Sequence, residues 1–190
     1  MRILTAFIII FYTFTSFTKA NDINEFEIEG LSIGDSLLKF MNFDEIKKAE
    51  ENKNEYPDSN YIVIFYNRKS EIYDDIEIVY DQKDTSFTIQ ALTGSLEDAN
   101  NYKQCKIKKK DIVSEFKITF EGSEVYDDES EHAFSKGSLT DVTDFYPKTG
   151  GFARVSCTDW SEKAEKENFW VDNLKVSLGS EKFLLYLNKY

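Results

Sequence analysis

Three apolar runs joined by connections too short for crossovers set the first limit on what this chain can fold into. Residues 61–66 are almost wholly apolar, as in a strand buried on both faces or lying at the centre of a sheet. Ile76, Ile78 and Tyr80 alternate with polar or small neighbours, and Phe87, Ile89 and Ala91 do the same. That period of two marks half-buried strands. The link Asp81-Gln82-Lys83-Asp84 has the length of a hairpin, whereas parallel neighbours need a crossover of about a dozen residues. Antiparallel pairing is therefore expected.

Helical signals stand around these runs. Asp35 or Ser36 can cap a helix carrying Leu37, Leu38, Phe40 and Met41, and Asn42 with Glu45 reads as a capping box for a second stretch through Ile46 and Ala49. Tyr56-Pro57-Asp58-Ser59 stops it. Over 101–120 the apolar residues Ile112, Val113, Phe116 and Phe120 share one helical face. Lys106, Lys109, Lys110 and Lys117 fall mostly elsewhere, which predicts a solvated face rather than a binding patch. Residues 121–136, with Asp127, Asp128, Glu129, Glu131 and His132, read as an acidic loop.

Strand-like runs return at 139–146, 152–160 and 173–178, the first two divided by the turn Pro147-Lys148-Thr149-Gly150-Gly151. Ser180 then caps a closing helix with Phe183, Leu184 and Leu187 facing inward. Helix, three strands, helix, three strands, helix is an α+β order. It predicts antiparallel sheet of roughly six to seven strands with three main helices, a pattern open to being two helix-plus-meander units.

The opening residues carry a different message. Arg2 precedes an apolar stretch over 3–17 diluted by Thr5, Thr13, Thr15 and Ser16. It falls short of the roughly 18 to 20 residues a membrane-spanning helix needs. Thr18-Lys19-Ala20 places small residues where a signal peptidase reads, so residues 1–20 are expected to be a cleavable signal peptide, cut after Ala20. Residues 21–190 would remain as one globular domain without stable membrane insertion. Removing Arg2 and Lys19 leaves 21 basic against 35 acidic residues, a net charge of about −14. Such a surface repels nucleic acid and anionic membranes. Cys105 and Cys157 are the two cysteines of the chain, and in an oxidising compartment an even count suggests a disulfide.

No motif carries chemistry convincingly. Gly30-Leu31-Ser32-Ile33-Gly34 matches the pattern around a hydrolase nucleophile. That elbow belongs to a parallel sheet with an acid and a histidine downstream, and the lone histidine here, His132, lies in the acidic tract. A glycine-permitted turn is the expected reading. The tract from Asp127 to His132 lacks the spacing of a calcium loop. Trp160 and Trp170 are suited to stacking on a sugar or gripping a partner, or to the core. No catalytic, cofactor-binding or metal-binding residue is assigned, and no cofactor is expected.

The segment Phe26-Glu27-Ile28-Glu29-Gly30-Leu31-Ser32-Ile33-Gly34-Asp35-Ser36-Leu37-Leu38 resembles a recurring opening in exported proteins of small-genome marine alphaproteobacteria. Val155-Ser156-Cys157-Thr158-Asp159-Trp160-Ser161 and Asp172-Asn173-Leu174-Lys175-Val176-Ser177 resemble later segments of the same family. The resemblance implies a shared fold and a Gram-negative periplasmic or secreted location, and it lends no activity. The expected function is a non-enzymatic domain that binds an envelope or secreted protein, or a small ligand. The alternatives are a carboxylate-based hydrolase and a calcium-binding adhesion or sensor module.

Overall fold

The computed structural model describes residues 22–189 apart from 67, 69, 71 and 98–101. The expected leader and its cleavage at Ala20 lie outside the described residues. The chain is α+β with antiparallel pairing, as its pattern predicts.

A small hairpin comes first, β1 (Glu27–Ile28) against β2 (Leu31–Ser32), turning through Glu29 and Gly30. The helix expected from Leu37 to Met41 is only a 3-10 turn, Leu37–Lys39, capped by Ser36. α1 (Phe43–Ala49) follows with the predicted capping box. Asn42 Oδ1 accepts from the Glu45 N–H at 3.0 Å, and Glu45 Oε2 accepts from the Asn42 N–H at 2.7 Å.

The remaining elements are β3 (Asn54–Glu55), β4 (Tyr61–Phe65), β5 (Asp75–Asp81), β6 (Ala91–Leu96), α2 (Tyr102–Thr119), β7 (Glu124–Glu131), β8 (Leu139–Tyr146), β9 (Phe152–Asp159), α3 (Glu162–Asn168), β10 (Asn173–Gly179) and α4 (Glu181–Leu187). Among the described residues the large sheet has eight strands, more than the six to seven expected, in the order β3-β4-β5-β6-β10-β9-β8-β7.

Three differences from expectation have physical causes. Residues 124–131 form β7, an edge strand whose side chains are all exposed. Ladder bonds use the main chain, so a polar segment can pair, and its charges deter edge-to-edge association. Helix α3 lacks an apolar period because only Ala164 is buried; Ser161 Oγ starts it by accepting from the Ala164 N–H. Phe87 adopts a left-handed φ of 50°, which breaks the extended run before β6 begins at Ala91.

One sheet face, here the inner face, holds the main core. Ile62, Ile64, Ile76, Ile78, Leu92, Val155, Leu174 and Val176 pack there beneath α2 and the N-terminal segment. The buried stripe of α2 is Cys105, Lys109, Val113, Phe116, followed by Phe120 just beyond its end. Lys109 is therefore not on a solvated face: it is 6% exposed and ion-pairs with Asp141 of β8. Its stem covers apolar surface while the ammonium meets the carboxylate. Beside it, Lys106 pairs with Glu129 of β7 at 2.7 Å.

The opposite, outer face is covered at one end by α4. Phe183 and Tyr186 pack on Tyr61, Val79, Ala91 and Phe152. Each such side chain contributes about 1.5–3 kcal/mol on full burial. Gly179 faces Phe152 across the ladder, and a Cβ at that position would lie 2.1 Å from the Phe152 ring.

Tyr80 is fully buried on the inner face and donates to Glu50 Oε1 at 2.6 Å. Burial alone would raise the Glu50 carboxyl, but hydrogen bonds from Lys47 and Tyr80 outweigh it and hold its pKa below the ordinary glutamate range. A lowered carboxylate stabilises the fold above the unfolded glutamate pKa of about 4.3, and that contribution is lost as pH falls through the lower folded value. Glu50→Gln is expected to melt below the parent at neutral pH and to converge with it as pH falls through the lowered Glu50 pKa. A gap between the two thermal melts that widens on acidification would contradict this.

Candidate functional site

Beyond α4 the outer face is open and polar. Alternation along the strands sends Asp75, Glu77, Ser95, Lys175, Ser177, Arg154 and Ser156 to this side. Asp75, Ser95 and Lys175 stand side by side on β5, β6 and β10. Thr93 donates to Ser177 at 2.9 Å, and Arg154 makes a two-bonded pair with Asp144 at 2.6 and 2.8 Å.

The connection from β9 through α3 to β10 rises beside this face and delivers aromatic rings to it. Trp160 follows β9, and its N–H donates to Asp172 at 2.7 Å. The Trp160 and Trp170 rings lie 4.4 Å apart between centroids, and His132 adds a third ring 4.6 Å from Trp160. Burial lowers the His132 pKa, so the imidazole is neutral at neutral pH and acts here as a stacking ring. Together with Phe65, Asp75, Glu77, Ser95, Glu97, Asn173 and Lys175, the segment Phe169-Trp170-Val171 bounds a groove of about 340 Å³.

Two features distinguish this groove. Ser95 is 5% exposed, yet its hydroxyl has no hydrogen-bond partner. Thr140 Oγ1, the other buried side-chain atom without a partner among the described residues, lies on the same face. Leaving a buried hydroxyl unmatched costs about 1–3 kcal/mol. Secondly, the carboxylates are under-neutralised. Lys175 is the one basic lining residue among those described, and it pairs with Glu77 at 3.0 Å. Asp75 and Glu97 face the groove, and neither has an ion pair among the described residues; partial burial, then the charges of Asp75 and Asp74, hold the Glu97 pKa above the ordinary range. A second carboxyl pair, Asp159 with Asp172, stands beside Trp160, its Asp159 pKa raised by burial and by Asp172.

Phe169 is 88% exposed and caps α3 in the left-handed conformation, φ 57°, a position where glycine is usual. A non-glycine residue there costs roughly 1–2 kcal/mol. Phe169→Gly is expected to stabilise the fold by about 0.5–1 kcal/mol after the entropy of the unfolded chain is counted. Urea melts check it, and a loss of stability would mean that the ring packs more than its exposure implies.

The residues singled out from sequence are distributed as follows. Cys105 and Cys157 join as a disulfide, Cα to Cα 5.9 Å, tying α2 to β9. Ser32 lies in β2 opposite Glu27. His132 stands past the end of β7, and among the described residues no hydrogen bond joins it to Ser32. Among the described residues no group of three or more histidine, cysteine, aspartate or glutamate side chains is placed to hold a metal ion, and no helix is long and apolar enough to cross a membrane. Trp160 and Trp170 are brought together. Ser95, Asp75, Glu97 and Phe169 escaped sequence reasoning, because the sheet register assembles the first three and the α3 connection brings Phe169 beside them.

Comparison with family models, with curated proteins and with solved structures returned no match to the chain.

Proposed function

We propose that this chain is a non-enzymatic binding domain, exported to the periplasm or secreted, that holds its ligand in the groove between Trp160, Trp170 and the open sheet face. The observation that carries this reading is the Ser95 hydroxyl, buried in the groove floor without a partner. A bound group that supplies its hydrogen bond removes an expense the free fold bears. The aromatic walls and few convergent polar groups have the character of a ligand site, and the volume lies within the usual range of roughly 300–1,000 Å³. The disulfide supports an oxidising compartment. We read the sheet as two helix-plus-meander units meeting at β6 and β10, which leaves one continuous face for a partner.

A carboxylate-based hydrolase asks for two carboxyl groups roughly 5 to 9.5 Å apart. In this groove the aromatic walls and the unpartnered Ser95 hydroxyl favour binding over acid–base work.

The chain has two tryptophans and both line the groove, so tryptophan emission reports on this site. Peptides, glycans and amines titrated into the oxidised protein are expected to include a class that changes emission saturably. Ester, peptide and glycoside substrates are expected to remain intact. Turnover abolished by Asp75→Asn would contradict the proposal.

A further inference from the structure

Resting on that reading of the groove, we infer that its occupant is a guanidinium group: the arginine side chain of a partner peptide, laid against the tryptophan rings and paired with Asp75 and Glu97. Three lining carboxylates, Asp75, Glu77 and Glu97, face one lysine, and that lysine is engaged by Glu77. The surplus is negative, in a chain whose net charge is already −12. A cation is the complement. The described residues offer no metal-holding cluster, so the cation is organic.

The walls say which kind. Trp160, Trp170, Phe169 and Phe65 border the same groove, and aromatic faces attract ammonium and guanidinium groups. A flat guanidinium also stacks on an indole, which a compact ammonium cannot do. The floor narrows the choice further. Ser95 Oγ is an unpartnered group in register between Asp75 and Lys175, and it can accept from an N–H. A guanidinium carries five N–H donors in a planar fork that fits carboxylates two at a time. A quaternary ammonium has no donor and would leave Ser95 unsatisfied. A neutral sugar would leave the Asp75–Glu97 pair uncompensated. The raised Glu97 pKa fits the same picture, because a cation would offset the neighbouring Asp75 and Asp74 charges that help raise it.

The groove lies open along the sheet, rimmed by exposed Phe169 and Val171. It therefore admits a side chain borne on a peptide backbone. Salt should weaken the association, since the paired charges are only partly buried.

The test titrates an end-blocked Gly-Arg-Gly peptide into the oxidised chain, read by tryptophan emission and by calorimetry. Beside it run the citrulline peptide, which keeps the shape and loses the charge, tetramethylammonium, and a glycan panel. The arginine peptide is expected to bind at least tenfold more tightly than the citrulline peptide. Asp75→Asn and Glu97→Gln are each expected to weaken it about tenfold without lowering the melting temperature, since each relieves carboxylate crowding. Equal binding of citrulline, or of tetramethylammonium, would overturn the guanidinium assignment. So would indifference to both carboxylate substitutions. A glycan that shifts the emission while the arginine peptide does not would overturn this inference and leave the proposed function standing. Emission unmoved by every ligand class would remove both.

Discussion

Replacing Cys105 and Cys157 together by alanine is expected to lower the unfolding free energy by about 4 kcal/mol in the chain-entropy model. The bridge spans a sequence separation of 52 residues, and a loop of that length restricts the unfolded chain strongly. It joins the first turns of α2 to β9, near the middle of the sheet, and both residues are almost wholly buried. The loss therefore falls on a long-range contact that no local element replaces. Urea melts of the oxidised protein and of the double variant measure it. The m-value should rise, because the uncrosslinked unfolded chain exposes more surface. A difference below about 1 kcal/mol would mean that α2 holds its place without the bridge.

Phe145→Ala is expected to cost about 3–5 kcal/mol. Phe145 is fully buried on β8 and meets Phe116 and Phe120 at centroid distances of 5.7 and 6.2 Å. Phe26 from the N-terminal segment joins the same cluster, 5.1 Å from Phe116. Removing the central ring strips contacts from elements far apart in sequence, and the neighbours cannot all collapse into the space. A lower denaturation midpoint with an unchanged slope is the signature. A change below about 1.5 kcal/mol would mean that the cluster repacks. The disulfide and this cluster anchor α2 at opposite ends, about 16 Å apart at 1.5 Å per residue. Their effects should add to within about 0.5 kcal/mol.

Local signals carried most of the fold. The Asn42–Glu45 capping box, the Ser180 cap, the turn at 147–151 and the alternation at 76–80 all act within a few residues, and each stands where the sequence places it. Two kinds of element were hidden. β7 pairs through its main chain while every side chain is exposed, so hydrophobic periodicity has nothing to detect. α3 is exposed except at Ala164, so it too has no apolar period to detect. Lys109 misled for a related reason: its charge suggests solvent, but its place on the stripe of Cys105, Val113 and Phe116 at helical spacing puts it inside.

The site was less accessible to sequence than the fold. Trp160 and Trp170 were visible as candidates because tryptophans are few and large. Asp75, Ser95, Glu97 and Lys175 lie on three different strands or at their ends; β5 pairing with β6 brings the first three together, and Lys175 joins them only because β6 pairs with β10, a contact between segments about 80 residues apart. No short motif encodes that register.

The claim at the centre of this account is that ligand recognition happens at the paired tryptophans. Fluorine NMR of the chain labelled with 5-fluorotryptophan tests it most directly, since the two resonances come from Trp160 and Trp170 and are assigned by Trp160→Phe and Trp170→Phe. On titration with the arginine peptide both resonances should shift together and saturate at the calorimetric stoichiometry. A peptide that binds by calorimetry while both resonances stay fixed would place recognition elsewhere on the molecule and contradict the account.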